Sequence, residues 1–581
     1  MENNRTRSWR GIALLVCLGL ALVACAPPPP SSRGSSEPGA RASISTSKTM
    51  RFAALREPVK GLAPPGGTQF GDMQSVAMMF HAGLTVYDGL GNLKPQIAEK
   101  IPSLDDGDWV VLPNGEMELT WHLRPNVRWH DGTPLVAEDF VFGTKIVQDP
   151  EVPLFRGIGI RFLSEVIAPD ERTLVARWKA PFFDANVSGP MDITAVPYKA
   201  VGDLYERRDM QALMNSPYWT SEFVGLGPYR LTQWVLGSHT EAVAFDDYFA
   251  GRPKIDRVII RYFGDLNTMV SNLLAGELDV IPAGTIKLEE VMAIRQAWDP
   301  LKRGSVGGTV IQSRVEVQNL RFQFRYPNAP WASDARVRRA LTHLTDRQSL
   351  VEDLLYNTTT IADTFVGRED PVFEALERRG FAKYPFDVTA GERLMAEAGW
   401  NRVPDGFVNA RGERFGIEFR VVANSQYNVR EGLAITDQWK SVNLNPTLTI
   451  IPPLDPDKEE LKATANGVYW FPDKIEPRIM ESFTTAQTSN ERSRWRGNNY
   501  GAYSNPAFDE LYDRYANTLE PTRRRDLQVE LLRMFAEDAP VIPLYYPANY
   551  ATAFRTGIRG PTGIPPVQLV ATWNVHQWEM D

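Results

Sequence analysis

Residues that could carry out catalysis are few and scattered in this sequence. Only six of the 581 residues are histidines, and no two of them have the spacing of zinc ligands on one helix. There is no Gly-x-Ser-x-Gly nucleophile turn, no Gly-x-Gly-x-x-Gly dinucleotide loop and no Gly-Lys-Ser/Thr phosphate loop. We therefore expect no catalytic residue, no metal site, no cofactor and no enzymatic activity. A secreted hydrolase with an unfamiliar site stays open as an alternative.

Cys25 carries the clearest covalent chemistry near the amino terminus. Three arginines in the first ten residues precede an apolar run over residues 12–23. This run is shorter than the roughly 20 apolar residues that a membrane-spanning helix needs, and it is typical of a secretory signal. The run ends in small residues before Cys25, as in a bacterial lipobox. We predict a lipoprotein signal peptide over residues 1–24 and an acylated Cys25; a plain signal cleaved near Ala24 is the alternative.

Residues 25–50 have the composition of a tether. Four consecutive prolines follow Cys25 and Ala26, and a mixture of serine, glycine and alanine continues to about Lys48. Such a segment cannot bury a core and acts as a spacer. Beyond it, no window contains 18 consecutive apolar residues. We expect an exported protein in the periplasm or on the cell surface, held at a membrane by its lipid alone.

The charge balance bears on the partners of the mature chain. Removal of residues 1–24 takes away three arginines and one glutamate and leaves 60 basic and 70 acidic side chains. An acidic chain of this kind is a poor candidate for nucleic-acid binding. Its 15 tryptophans and 19 tyrosines suit recognition of organic ligands, because each has an apolar body and a polar tip.

The length of the chain beyond the tether, more than 500 residues, predicts two or three folding units.

The periodicity of the chain predicts an α/β fold. Alternation of apolar residues over 119–123 indicates a strand, and Asp265 is placed to cap a helix. A helix is predicted over residues 521–537, followed by a strand over 541–546. Strands that alternate with helices in this way are typical of α/β proteins.

Seven stretches, in one order along the chain, resemble a known family. They are 83–99, 123–135 with Asp139, 225–229, 276–279, 334–341 with Asp346 and Arg347, 503–506 with Asp509, and 539–544. The second stretch, Leu-Arg-Pro-Asn-Val-Arg-Trp-His-Asp-Gly-Thr-Pro-Leu, is the most specific. Together they resemble the extracellular solute-binding proteins of ABC transporters for peptides, nickel and oligosaccharides, often called family 5. The likeness covers residues 50–578, with departures at Leu226, where threonine is usual, and at Trp331, where phenylalanine is usual.

This resemblance implies an α/β, two-lobed, periplasmic-binding-protein-like fold of the large, three-subdomain type II variant, with hinge-linked lobes. Lobe I would hold residues 51–310 and 541–581, and lobe II residues 311–540, with crossings near 311–326 and 541–548. A ligand in the cleft would stabilise closure because it contacts both lobes only in the closed state. The implied partners are an ABC permease and ATPase complex, and we expect a monomer.

The same resemblance suggests two ligand-binding residues. Peptide-binding members carry a Trp-x-x-Asp-x-x-Asp/Glu-Pro motif similar to residues 470–477. Carried over, Asp473 would bind the α-ammonium of a short peptide and Trp470 would line a side-chain pocket. Replacing Asp473 by asparagine would then weaken binding and leave thermal stability nearly unchanged. The alternatives are a helix-capping Asp473 beside a core Trp470, an oligosaccharide or metal-chelate ligand, and a receptor or chaperone without import.

Overall fold

The computed structural model describes most of the chain beyond residue 46. The described residues are 47–58, 61–62, 71–152, 158–188, 193–299, 307–423, 426–452, 460–493, 495, 497–547 and 549–581. The predicted signal peptide, Cys25 and nearly all of the predicted tether lie outside them. No helix in the described part of the chain is long and apolar enough to cross a membrane.

A seven-stranded mixed sheet forms the centre of the first lobe. Its spatial order is β12-β20-β11-β1-β10-β9-β8. The strands are β1 (Thr49–Ala54), β8 (Tyr229–Val235), β9 (His239–Ala244), β10 (Arg257–Tyr262), β11 (Val280–Ile286), β12 (Gly308–Ser313) and β20 (Tyr550–Arg555). β1 runs parallel to β10 and β11, whereas the other neighbours are antiparallel. Strand β20, near the carboxyl end of the chain, therefore lies in the same sheet as β1.

A four-stranded antiparallel sheet builds the additional subdomain of this lobe. Its order is β4-β5-β7-β6. The strands are β4 (Trp109–Val111), β5 (Met117–His122), β6 (Leu163–Asp170) and β7 (Thr173–Trp178). The predicted alternation is confirmed in β5, where Leu119 and Trp121 are buried together with Trp129 and Phe140 in a separate apolar core. This core explains how so large a lobe divides into two folding units.

A five-stranded sheet forms the centre of the second lobe. Its order is β17-β16-β18-β13-β19. The strands are β13 (Glu316–Phe322), β16 (Ile417–Val422), β17 (Pro446–Ile451), β18 (Gly467–Lys474) and β19 (Val541–Tyr545). β16 is parallel to β17 and β18, and β13 is antiparallel to both of its neighbours. The carboxyl ends of β16, β17 and β18 therefore meet at one edge of the sheet.

Helices cover both lobes and are joined by short strand pairs and 3-10 turns. The helices are α1 (Gly71–Phe80), α2 (Ala137–Gln148), α3 (Tyr198–Glu206), α4 (Met210–Met214), α5 (Leu266–Leu274), α6 (Leu288–Ala297), α7 (Pro330–Ser333), α8 (Ala335–His343), α9 (Arg347–Asp353), α10 (Pro371–Arg379), α11 (Val388–Glu397), α12 (Gln426–Ser441), α13 (Glu460–Ala463), α14 (Pro506–Ala516) and α15 (Pro521–Asp538). The short strands are β2 (Thr85–Tyr87), β3 (Leu93–Pro95), β14 (Asn401–Val403), β15 (Gly406–Val408), β21 (Ile558–Arg559) and β22 (Glu579–Met580). The 3-10 turns are Ile158–Arg161, Pro217–Trp219, Ile479–Phe483, Thr485–Gln487 and Val575–Gln577.

Two local predictions from the sequence are confirmed by these elements. The Asp265 carboxylate accepts a hydrogen bond from the Thr268 amide at 2.8 Å and so caps α5. The helix predicted over residues 521–537 is α15, and the strand predicted after it is β19.

The chain passes between the two central sheets twice. The first passage is at residues 314–315, between β12 and β13, and the second lies between the end of β19 at Tyr545 and the start of β20 at Tyr550. Residues 541–545 therefore pair with β13 in the second lobe, and residues 311–313 pair with β20 in the first. We propose that the lobes divide at these two passages, slightly displaced from the limits 310 and 541 inferred from sequence.

Candidate ligand-binding site

The ends of strands in the second lobe place several polar side chains near the passages between the lobes. β18 ends at Lys474, opposite Glu316 at the start of β13. The Tyr550 hydroxyl, on the first strand after the second passage, donates to the Glu316 carboxylate at 3.0 Å. Ligands of open α/β sheets bind outside the carboxyl ends of their strands, so this edge is the candidate site.

Asp473 lies at this edge as part of a buried ion pair. Its side chain is 3% exposed. Arg321 donates from Nε to Oδ2 at 3.1 Å and also bonds Oδ1 through Nη2, and Asn319 donates to Oδ2 at 2.9 Å. Both carboxylate oxygens are therefore engaged from β13. Because Asp473 is a residue of strand β18, the alternative of a helix cap is wrong.

Arg321 is held from several sides. Its guanidinium carbon lies 4.4 Å from the ring centre of Phe471 and 4.5 Å from that of Phe483. Its Nη1 donates to the carbonyl oxygen of Asn498 at 2.7 Å. Stacking on aromatic faces and a two-pronged bond to a carboxylate are the contacts that suit arginine rather than lysine. Because Arg321 is such a partner, we now expect the replacement of Asp473 by asparagine to lower the stability of the fold.

Trp470 lies on the opposite face of β18 and contacts a buried acid. Its indole Nε1 donates to Glu431 Oε2 at 2.7 Å, and Glu431, on α12, has no exposed surface. Burial raises the pKa of Glu431 to about 7, although the neighbouring Tyr545 hydroxyl and the hydrogen bond from Trp470 favour the charged form. The Tyr427 and Tyr545 hydroxyls are 2.7 Å apart and complete this cluster. Trp470 is also a member of the apolar core of this lobe.

Arg321 and Glu431 were missed by sequence reasoning, although each leaves a signal. Arg321 follows Asn319 by two residues on β13, so polar side chains occupy consecutive positions on one face of a buried strand. Glu431 precedes Ile435 by one helical turn, and Ile435 is fully buried. An acid in an apolar helical stripe needs a buried partner.

The two lobes touch at a polar contact away from the passages. Arg478 of the second lobe donates from Nε to Asp184 of the first lobe at 2.8 Å. Its guanidinium carbon lies 4.4 Å from the ring centre of Phe182, and Arg524 lies 4.7 Å from that of Phe183. Half-buried contacts of this kind favour the closed arrangement of the lobes.

The glycine motif at residues 225–229 has a structural role. The Nδ1 atom of His130 accepts from the Gly225 amide at 3.1 Å, and Nε2 donates to the Gly227 carbonyl at 3.0 Å. Burial lowers the pKa of His130 to about 4, so the ring is neutral at physiological pH. No group of His, Cys, Asp and Glu in the described ranges could hold a metal ion.

Comparison with known proteins identifies the family. The model of the bacterial extracellular solute-binding proteins, family 5, matches residues 92–491. The chain belongs to this family. The match includes strands of both central sheets and covers Trp470 and Asp473. Family 5 proteins are substrate-binding proteins of ABC transporters, which are not enzymes.

Relatives share the fold over nearly their whole length. The oligopeptide-binding protein AppA of Bacillus subtilis (strain 168) is 24% identical over 516 residues, which cover 86% of each chain. The structure of Bacillus subtilis AppA in complex with a nonapeptide matches with a TM-score of 0.65 and 18% identity, over 92% of this chain and 99% of that one. The structure of the substrate-binding protein CtaP of Listeria monocytogenes matches with a TM-score of 0.71 and 18% identity, over 92% of this chain and 99% of that one. The two-lobed family 5 fold predicted from sequence is thereby confirmed.

Proposed function

We propose that this protein is the solute-binding component of an ABC import system and that it captures short peptides between its lobes. The observation that supports this most is the alignment with the oligopeptide-binding protein AppA over 86% of both chains. A bound peptide stabilises closure, and the permease with its ATPase receives it from the closed form. Capture needs no bond to be broken, so no catalytic group is required.

Asp473 and Trp470 are proposed to belong to the second-lobe wall of the peptide site. Arg321 already compensates the charge of Asp473, so an ammonium group that approaches this carboxylate gains less than it would from an unpaired one. The pair is therefore a buried, charge-compensated group and not a vacant anionic pocket. Trp470 offers an indole that Glu431 holds in one orientation.

Peptide capture is tested by native mass spectrometry of the mature protein after incubation with a tryptic digest of casein. We expect a family of peptide masses bound one per protein, because the cleft lies between one pair of lobes. A digest pretreated with a nonspecific protease down to amino acids is the control and should leave no adduct. A protein that stays free of peptide in the intact digest, while it binds a sugar or a metal chelate, would contradict the proposal.

We also propose that acylated Cys25 holds the protein at a membrane surface. The lipobox-like sequence before Cys25 and the proline-rich stretch after it support this. Each buried methylene of an acyl chain contributes about 0.8 kcal/mol to membrane binding, so more than one chain gives a stable anchor. Replacing Cys25 by serine should move the protein from the membrane fraction to the soluble fraction of lysed cells. If the variant pellets as completely as the parent, the lipid is not the anchor.

A further inference from the structure

A first-lobe helix covers the cluster around Glu431. One side of α6 packs on the first-lobe core through Val291 and Ile294. Its other side contributes Leu288 and Met292 to the second-lobe core that contains Trp470. Helix α6 therefore bridges the lobes directly beside this cluster.

A charged contact accompanies this apolar one. Glu289 of α6 bonds to Arg430, the residue before Glu431 on α12. Tyr427, one turn earlier on α12, is only half-buried, so the cluster reaches toward solvent at its rim. Separation of the lobes would withdraw α6 and expose this corner of the second lobe to water.

Two buried polar atoms in this corner have no hydrogen-bond partner among the described residues. They are Oε1 of Glu431 and Nε2 of Gln318. Gln318 stands opposite Tyr545 across the β13–β19 ladder, and Leu320, two residues on, stands opposite Trp470. Side chains two apart on a strand share a face, so Gln318 lies on the face that carries Trp470. Nearly all buried polar groups in proteins are paired, so these two require a partner that comes from elsewhere.

We propose that Glu431 and Gln318 form a polar subsite of the cleft that binds an uncharged amide group of the captured solute through hydrogen bonds. This inference rests on the proposed function, since a peptide bond supplies one N–H and one C=O. Gln318 offers an N–H donor and Glu431 an oxygen acceptor, which match those two groups. Trp470, bonded to the other Glu431 oxygen, would border the same subsite.

The protonation of Glu431 follows from this position. Burial raises its pKa to about 7, and the hydroxyls that face it, Tyr545 and Tyr427, stay protonated because burial raises their pKa values as well. The charged groups on the adjoining helices, Arg430 and Glu289, pair with each other. When the lobes open and water reaches the carboxyl, its pKa should fall toward the ordinary range. Closure on a solute therefore takes up a proton, and affinity decreases as pH rises through about 7.

The test is calorimetric titration of the mature protein with the tightest-binding casein peptide, at pH 6 and pH 8. The parent should bind about tenfold more weakly at pH 8, because one linked proton changes affinity up to tenfold for each pH unit between the pKa of the open form and that of the closed form, which is about 7. Buffers of different ionisation enthalpy should report proton uptake on binding. Glu431→Gln, which mimics the neutral acid, should bind with similar affinity at both pH values and take up no proton.

Glu510→Gln, an exposed carboxyl on α14, is the matched control and should follow the parent. Gln318→Leu should weaken binding at both pH values and keep the pH dependence. Peptide binding without proton uptake, or the same pH profile in Glu431→Gln as in the parent, overturns the inference and leaves the proposed function standing. Affinity that rises with pH would instead identify a cationic ligand group and also overturns it. A parent that binds no casein peptide overturns the proposed function and this inference with it.

Discussion

Replacement of Asp473 by asparagine should lower the free energy of unfolding by about 3–5 kcal/mol. The change leaves the Arg321 guanidinium charged, and Arg321 is as deeply buried as Asp473. The two aromatic rings that stack on Arg321 cannot replace a carboxylate, since a cation–π contact contributes at most a few kcal/mol. Urea unfolding of the mature protein at pH 7 measures the loss.

Two further variants separate the buried pair from general damage. The double variant Arg321→Met with Asp473→Leu removes both charges and should recover much of the lost stability, because apolar replacements of a buried pair are often neutral. Glu413→Gln breaks the exposed contact with Arg411 and should change stability little. If Asp473→Asn unfolds at the same urea concentration as the parent, the ion pair between Asp473 and Arg321 contributes little to stability. A ligand ammonium would then be the better partner of Asp473.

The second large effect concerns Glu431 and pH. The folded pKa is about 7, against an ordinary value of 4.5, so folding takes up a proton between these two pH values. Stability contributed by the neutral acid is complete below pH 4.5 and is lost as pH rises toward 7. Above pH 7 the free energy of unfolding is lower by about 3 kcal/mol, because each unit of difference between the folded and unfolded pKa corresponds to about 1.36 kcal/mol. Glu431→Gln has no such proton and should be more stable than the parent at pH 8 by about this amount.

The difference between parent and variant is the quantity to measure, because other groups also titrate. Unfolding of both proteins in urea at pH 5 and pH 8 gives it directly. Burial lowers the pKa of His130 to about 4, so the stability that His130 contributes rises with pH. This contribution is the same in both proteins and cancels in the difference between them. A constant difference between Glu431→Gln and the parent across this range would show that Glu431 is ionised in the fold.

Several elements could be predicted because their signals are local. The alternation in β5 and the Asp265 cap of α5 each depend on residues within one short segment. The two-lobed fold could be expected only because seven short motifs in order resemble family 5. One of these motifs has a structural role, since His130 bonds to residues 225 and 227.

The contacts of the site could not be predicted, because they join distant parts of the chain. Arg321 and Asp473 are 152 residues apart, and only the antiparallel register of β13 with β18 brings them together. Trp470 and Glu431 meet only after α12 packs on the sheet. The motif around Trp470 and Asp473 is visible in sequence, but the identity of their partners depends on strand register and helix packing.

Small-angle X-ray scattering can show whether the two lobes close on a captured peptide. The mature protein should show a smaller radius of gyration when it is saturated with a casein peptide that mass spectrometry finds bound. Contacts such as the pair formed by Arg478 and Asp184 would then become more populated. An unchanged scattering profile at full peptide occupancy would contradict capture by lobe closure.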